Sequence, residues 1–390
     1  MSIAPINALT VSGINIIGKK SNNKQKADNL HVQNETAQNT NNDNGAFKSY
    51  FLGSHAVSFG FGVKTNKFVT KEIKDVPCCC CGGKMILPAN LDKKANEFAV
   101  VKGNALADKI EKDIDFFRTP QKLIMSLTAE QARIHPEYDL SQAKKAAGKN
   151  LKLKTEDYCI NSLKKADTLI KATLGEDNLA SDLIEDEIEY ISEGNIDRMH
   201  FTDRLEKYKD KIDPVTYNTV INAAMNIPVD FKEVKNVFSE AIGNSKAVAK
   251  NLLEPSIQTI EHVHPRSLGG PDASENFIAE CKECNNKRSN MSYVEWLKVH
   301  PEFPQKAQIH VEWFQQQLVD GKIDSKYDSW GTDIKKTLSK ESNGMIELRV
   351  LNSEKIKELR EAKKAGQTIS VSDEIKKICE EEEKAEKTAA

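Results

Sequence analysis

The stretch IEHVHPRSLGGPDASENFIAECKECNNKRSN, residues 260–290, concentrates residue types that do chemistry. Cys281 and Cys284 have the two-residue spacing at which a pair of thiolates grips one metal ion. Glu261 offers a carboxylate and Asn285 an amide oxygen, hard donors suited to Mg²⁺ or Mn²⁺. A neutral histidine such as His262 can take a proton from water. A divalent ion with a base beside it is what phosphodiester hydrolysis requires: the ion holds the phosphate and stabilises the leaving oxygen, while the base makes hydroxide. Gly269-Gly270 permits a loop with positive φ or a close backbone approach.

A second source of thiolates lies far upstream. The chain has eight cysteines, four of them consecutive at Cys78 to Cys81. Within that run only Cys78 and Cys81 have the metal-gripping spacing, and Gly82 follows where a knuckle must bend tightly. Two such knuckles make a closed tetrahedral four-thiolate site, which is structural. About two hundred residues separate the pairs. Loop closure grows only logarithmically, so a tenfold longer loop costs roughly 2 kcal/mol more, against roughly 10 kcal/mol or more for a structural zinc. Cys159 and Cys379 stand alone in helical patterns. Adjacent cysteines make a poor disulfide framework, and a reducing, cytoplasmic setting is the expectation.

The elements that must position these groups read as follows. Residues 1–45 are Asn-, Gln- and Lys-rich with few large apolar residues, and are expected to be disordered. Residues 46–90 carry aromatic, β-branched and Gly residues, which suggest one or two short strands ahead of the first knuckle. Residues 91–253 are a helical domain: Ile160, Leu163, Ile170 and Leu174 recur at helical spacing and stop at Gly175, and Leu179, Leu183, Ile184, Ile188 and Ile191 stop before Gly194. Phe231, Val234, Val237, Phe238 and Ile242 form a third stripe. Residues 254–300 change texture: SIQTIEHV alternates as a strand does, NFIAEC is a second short strand, and CNNKRSNMSYVEWLKVH is a helix with a break around Ser289 to Ser292. Residues 301–390 return to helix. His300 and His310 fall in helical patterns as ordinary residues, and Trp296 belongs to helix packing.

Net charge is −2, so bulk charge gives no support to nucleic-acid binding. Acids outnumber bases in the 254–300 window as well. Lys144, Lys145, Lys149, Lys152 and Lys154 supply the best candidate for contact with a phosphate backbone, and a solvated linker explains the stretch equally well. No apolar run is long enough to span a membrane, and the N-terminus lacks the pattern of a secretory signal.

EHVHPRSLGG…NFIAECKECNNKR resembles the acid-His-x-x-Pro-x-Ser-x-Gly-Gly, Asn-hydrophobic, Cys-x-x-Cys-Asn-x-x-Lys/Arg pattern of the HNH endonuclease family. The resemblance implies a small ββα-metal module with a zinc knuckle; with the helical patterns on either side, the expected fold is α+β and mostly α-helical, with a large helical insertion and a helical C-terminal extension. It implies DNA as substrate, with 5′-phosphate and 3′-hydroxyl products. By resemblance His262 is the general base, Glu261 and Asn285 hold Mg²⁺ or Mn²⁺, and Asn276 braces the loop and orients His262. Arg288 or Lys287 would approach a phosphate; His264, two residues after His262 and so on the same strand face, would help bind substrate or metal, where an apolar residue is common in the family. Structural Zn²⁺ would sit on Cys78, Cys81, Cys281 and Cys284, as in the zinc-stapled branch of the family. The acid is Glu261 where Asp is commoner, and the knuckles are further apart than usual. Two other readings share the scaffold: a zinc-stapled binding module without catalysis, and a toxin-like effector nuclease with an immunity-type protein partner.

Overall fold

The structure, a computed structural model, describes residues 75–389. The expected disorder of residues 1–45, and the strands expected within 48–76 but for its last two residues, lie outside the described residues. Among the described residues ten α-helices precede β1 (Gln258–His262): α1 (Leu91–Ala99), α2 (Gly103–Asp113), α3 (Thr119–Ile134), α4 (Ala143–Ala147), α5 (Leu151–Leu174), α6 (Leu179–Ser192), α7 (Arg198–Tyr208), α8 (Pro214–Ala224), α9 (Phe231–Glu240) and α10 (Ser245–Leu253). Strands β1 and β2 (Phe277–Cys281) follow, then α11 (Lys282–Arg288), α12 (Tyr293–Val299), α13 (Phe303–Val319), α14 (Trp330–Glu341), α15 (Ser353–Lys364) and α16 (Val371–Ala389). The fold is α+β and mostly helical.

Local sequence accounts for many of the boundaries. Asn178, Asp197, Asp213, Asp230 and Asn244 each accept a backbone N–H at the start of a helix, satisfying donors that the helix itself cannot. Gly175 and Gly194 take positive φ just past α5 and α6. The third apolar stripe is shorter than expected: α9 ends at Glu240, so Ile242 leaves the buried face and is 55% exposed. The helix break falls at Ser289, whose φ is 48°. Helix α14 buries Trp330, Ile334 and Leu338 at four-residue spacing, and with them Gly331. That glycine is needed: a Cβ there would lie 2.5 Å from Gln315 Nε2 on α13.

The two strands pair antiparallel, Gln258 with Cys281 through His262 with Phe277. Ile86 forms a bridge to Ile257, and its N–H and C=O bond Ser256 O at 2.9 Å and the Gln258 N–H at 2.8 Å. This stitches the first cysteine segment to the base of β1. Buried side chains fall into three clusters. One joins α1–α4 with α9 and α10, and one joins α5–α8. The third joins Cys78–Cys80, β2, α12 and the helices α13–α16. The C-terminal helices therefore share the core of the hairpin: Trp330 Nε1 donates to Phe277 O at 3.2 Å. Trp296 is buried in the same core. Among the described residues no helix is long and apolar enough to cross a membrane.

His310 on α13 is not an ordinary helix residue. It is fully buried and its Nδ1–H donates to Pro77 O at 2.8 Å, just ahead of the first knuckle. Burial pushes its pKa down to about 4. As pH falls from about 6.5 towards 4, the unfolded chain takes up a proton that the folded chain refuses, so stability is lost in that window, on the order of 3 kcal/mol by its lower end. Urea unfolding of His310→Gln is expected to vary less between pH 6.5 and 4 than that of the parent. An identical pH dependence in the two proteins would mean that His310 titrates normally.

Candidate metal anchor and hairpin site

The first knuckle is a tight turn. Cys78 N–H donates to Gly83 O and Gly82 N–H to Cys78 O, both at 2.9 Å, with Gly82 at φ 68°. Cys79 N–H donates to Ala279 O at 3.0 Å, which sets the knuckle against β2. Cys281 closes β2 and Cys284 lies on the first turn of α11. The sulfurs of Cys78, Cys81, Cys281 and Cys284 all lie within 4.8 Å of one another, as the sequence reading expected. Four soft donors converging on one point, largely shielded from solvent, fit a tetrahedral zinc. Cys79 and Cys80, though buried, are not members of that group.

The thiol group has a cationic neighbour that the sequence did not reveal. Arg118, at the start of α3, is buried and its Nε–H donates to Cys281 Sγ at 3.1 Å. Its Nη2 donates to Lys84 O at 2.9 Å. Gly83 makes room for it, since a Cβ there would lie 2.2 Å from Arg118 Nη1. Hydrogen bonds from Cys281, Cys284 and Cys78, with Arg118 close by, hold the Cys81 thiol well below its usual range. A residue 163 positions from Cys281 leaves no spacing signal.

On the hairpin, successive side chains of β1 leave on opposite faces. His262 packs edge-on against Phe277, its register partner, with ring centroids 4.7 Å apart. Its imidazole is 22% exposed, and Nε2 lies 2.7 Å from Asp272 Oδ1. Asp272 was not singled out from sequence, although its place ten residues after His262, beyond the Gly-Gly turn, is the available signal. Asn276 braces the loop: its Oδ1 accepts the His264 N–H at 2.8 Å, and its Nδ2 donates to His264 O at 3.0 Å and Pro271 O at 3.1 Å.

Glu261 sits on the other face, buried, in an ion pair with Arg288. Arg288 does not reach out to a phosphate. Its side chain is 1% exposed, and it donates to His262 O at 2.9 Å and Met291 O at 3.0 Å. The reason is helical geometry: Arg288 lies one turn after Cys284 and shares its inward face on α11. Lys287 is engaged by Glu283 at 2.8 Å and by Glu233 of α9. His264 also has partners within the protein, Nε2 lying 3.2 Å from Leu268 O and Nδ1 3.1 Å from Glu341 Oε1 on α14. Asn285 Nδ2 donates to Ile260 O at 2.8 Å and Thr259 Oγ1 at 3.1 Å, which turns its amide nitrogen to β1. The Lys144–Lys154 stretch is helical rather than a linker, spanning α4, a 3-10 turn and the start of α5. There Lys144 stacks over Phe238 and Lys154 donates to Ala146 O.

Because Arg288 and Glu261 neutralise each other out of water, removing one strands the other. Arg288→Met is expected to destabilise the fold by about 3–5 kcal/mol, the usual consequence of leaving one buried charge unpaired. Chemical denaturation measures this; a change under 1 kcal/mol would place Arg288 back at the surface.

Residues 249–291 match the family model described as HNH endonuclease. No curated protein and no solved structure matches the chain.

Proposed function

We propose that the chain is a zinc-anchored HNH endonuclease that hydrolyses DNA phosphodiesters with His262 as general base. The observation that carries this reading is the His262 imidazole. It is held at the end of the hairpin, partly open to solvent, within the stretch that matches the HNH model. Asn276 fixes the loop behind it, and the hairpin is tied to the rest of the fold at the four-cysteine anchor. His262 would take a proton from water as the water oxygen attacks phosphorus and the bond to the 3′ oxygen breaks, leaving a 5′-phosphate.

Zn²⁺ would be held by Cys78, Cys81, Cys281 and Cys284, a purely structural role. For the catalytic ion, Glu261 and Asn285 supply hard oxygens of the right chemistry for Mg²⁺ or Mn²⁺. Glu261 reaches such an ion only by exchanging Arg288 for it. When bound, the ion would neutralise the phosphate and stabilise the leaving oxygen.

The Glu261–Arg288 pair favours a second reading, a zinc-anchored DNA-binding module without catalysis. Incubation of purified protein with supercoiled plasmid and Mg²⁺ or Mn²⁺ separates the two. Cleavage that disappears in His262→Ala supports the nuclease; binding without cleavage by the parent supports the module.

A further inference from the structure

We infer that Asp272 is a positioning residue for His262, fixing which imidazole nitrogen carries the proton and leaving Nδ1 to receive the proton of the attacking water. The inference rests on the proposed role of His262 as general base.

The placement of Asp272 is built rather than incidental. Gly270 N–H donates to Pro265 O at 3.0 Å, and Gly270 passes so close to His264 that a Cβ would lie 1.8 Å from the His264 carbonyl oxygen. Any other residue at 270 would push this segment outward. The next residue, Pro271, is fixed by the Asn276 side chain at 3.1 Å. Asp272 therefore emerges from a clamped turn, with Oδ1 2.7 Å from His262 Nε2 and Oδ2 3.5 Å from Arg266 Nη2. The imidazole also meets the Phe277 ring nearly perpendicular, at 88°. The ring is thus located by an apolar contact and by a carboxylate.

An ionised carboxylate only accepts hydrogen bonds. Its presence at Nε2 puts the proton of the neutral imidazole on Nε2 and the lone pair on Nδ1. Among the described residues Nδ1 has no hydrogen-bond partner. When Nδ1 takes the proton from water, the resulting imidazolium is held by Asp272, while the hydroxide oxygen bonds to phosphorus and the bond to the 3′ oxygen breaks, that oxygen leaving with the electron pair and taking a proton from solvent. Stability gives no alternative reason for the pair, since exposed ion pairs contribute about 0–1 kcal/mol.

The test uses the full chain with Mg²⁺ and supercoiled plasmid, comparing the parent with Asp272→Asn and Asp272→Glu. Asp272→Asn is expected to lower kcat roughly 10²-fold, within the range seen when a group that orients a histidine is lost. KM for DNA should stay within about threefold, because no DNA contact is removed, and Asp272→Glu should recover part of the rate. Long-range ¹H–¹⁵N spectra of the histidine rings at pH 8 are expected to show His262 protonated on Nε2 in the parent and altered in Asp272→Asn. Unchanged kcat in Asp272→Asn, faster cleavage, or an unaltered His262 tautomer would each overturn the inference; faster cleavage would mark Asp272 as an obstruction. If His262→Ala cuts as fast as the parent, it is the general-base reading that fails, and the ring spectra still decide whether the pair orients His262. Should Asp272→Asn fold poorly, Asp272→Ser carries the same comparison.

Discussion

His262→Ala is expected to lower the rate of DNA cleavage by about 10²- to 10⁴-fold, the span over which general bases contribute. The same variant should keep its zinc content, its melting temperature and its affinity for DNA. The structure explains this separation. The imidazole is not a member of the cysteine group, and its contacts are one carboxylate and one ring edge at the rim of the hairpin. Truncation leaves the ladder between β1 and β2 intact, because the His262 carbonyl that accepts from Arg288 belongs to the backbone. Single-turnover cleavage of plasmid, with zinc content and calorimetry on the same preparation, measures all the quantities. Parental cleavage by His262→Ala would remove this residue from the chemistry and leave the binding-module reading standing.

Cys284→Ala is expected to have the opposite profile, losing metal, thermal stability and cleavage together. Structural zinc contributes apparent free energies of about 10–16 kcal/mol to small domains, comparable with the whole net stability of a folded chain. One thiolate fewer would open the proposed zinc site at the point where the first knuckle, the end of β2 and the first turn of α11 meet. Asn285 follows immediately on that turn, so the residues around the hairpin lose their anchor with it. A loss of several kcal/mol lowers the melting midpoint by on the order of 10 °C. Cys79→Ala is the control: Cys79 is equally buried yet outside the four-sulfur group, so its zinc content should equal the parent's. Elemental analysis showing one zinc in Cys284→Ala and none in Cys79→Ala would displace the anchor from the four cysteines assigned to it.

What the sequence determined by itself is what repeats within a few residues. Alternation in SIQTIEHV marked β1, the short run NFIAEC marked β2, apolar spacing marked α5 and α6, and their glycine stops marked the ends. The two-residue spacing singled out Cys78 with Cys81 and Cys281 with Cys284, because a metal's coordination radius sets that spacing locally. Tertiary structure decided everything that depends on which surfaces meet. The Ile86–Ile257 bridge and the Cys79-to-Ala279 bond bring the knuckles together, and neither partner is marked along the chain. Arg118 reaches Cys281 from α3, and α13–α16 complete the hairpin's core instead of trailing from it. Arg288 reads as a surface cation until α11 is docked and its Cys284 face turns inward against Glu261. Periodicity fixes which side chains share a face; only the burial gained when distant faces pack fixes which face is covered, and so which charges are left open to a substrate.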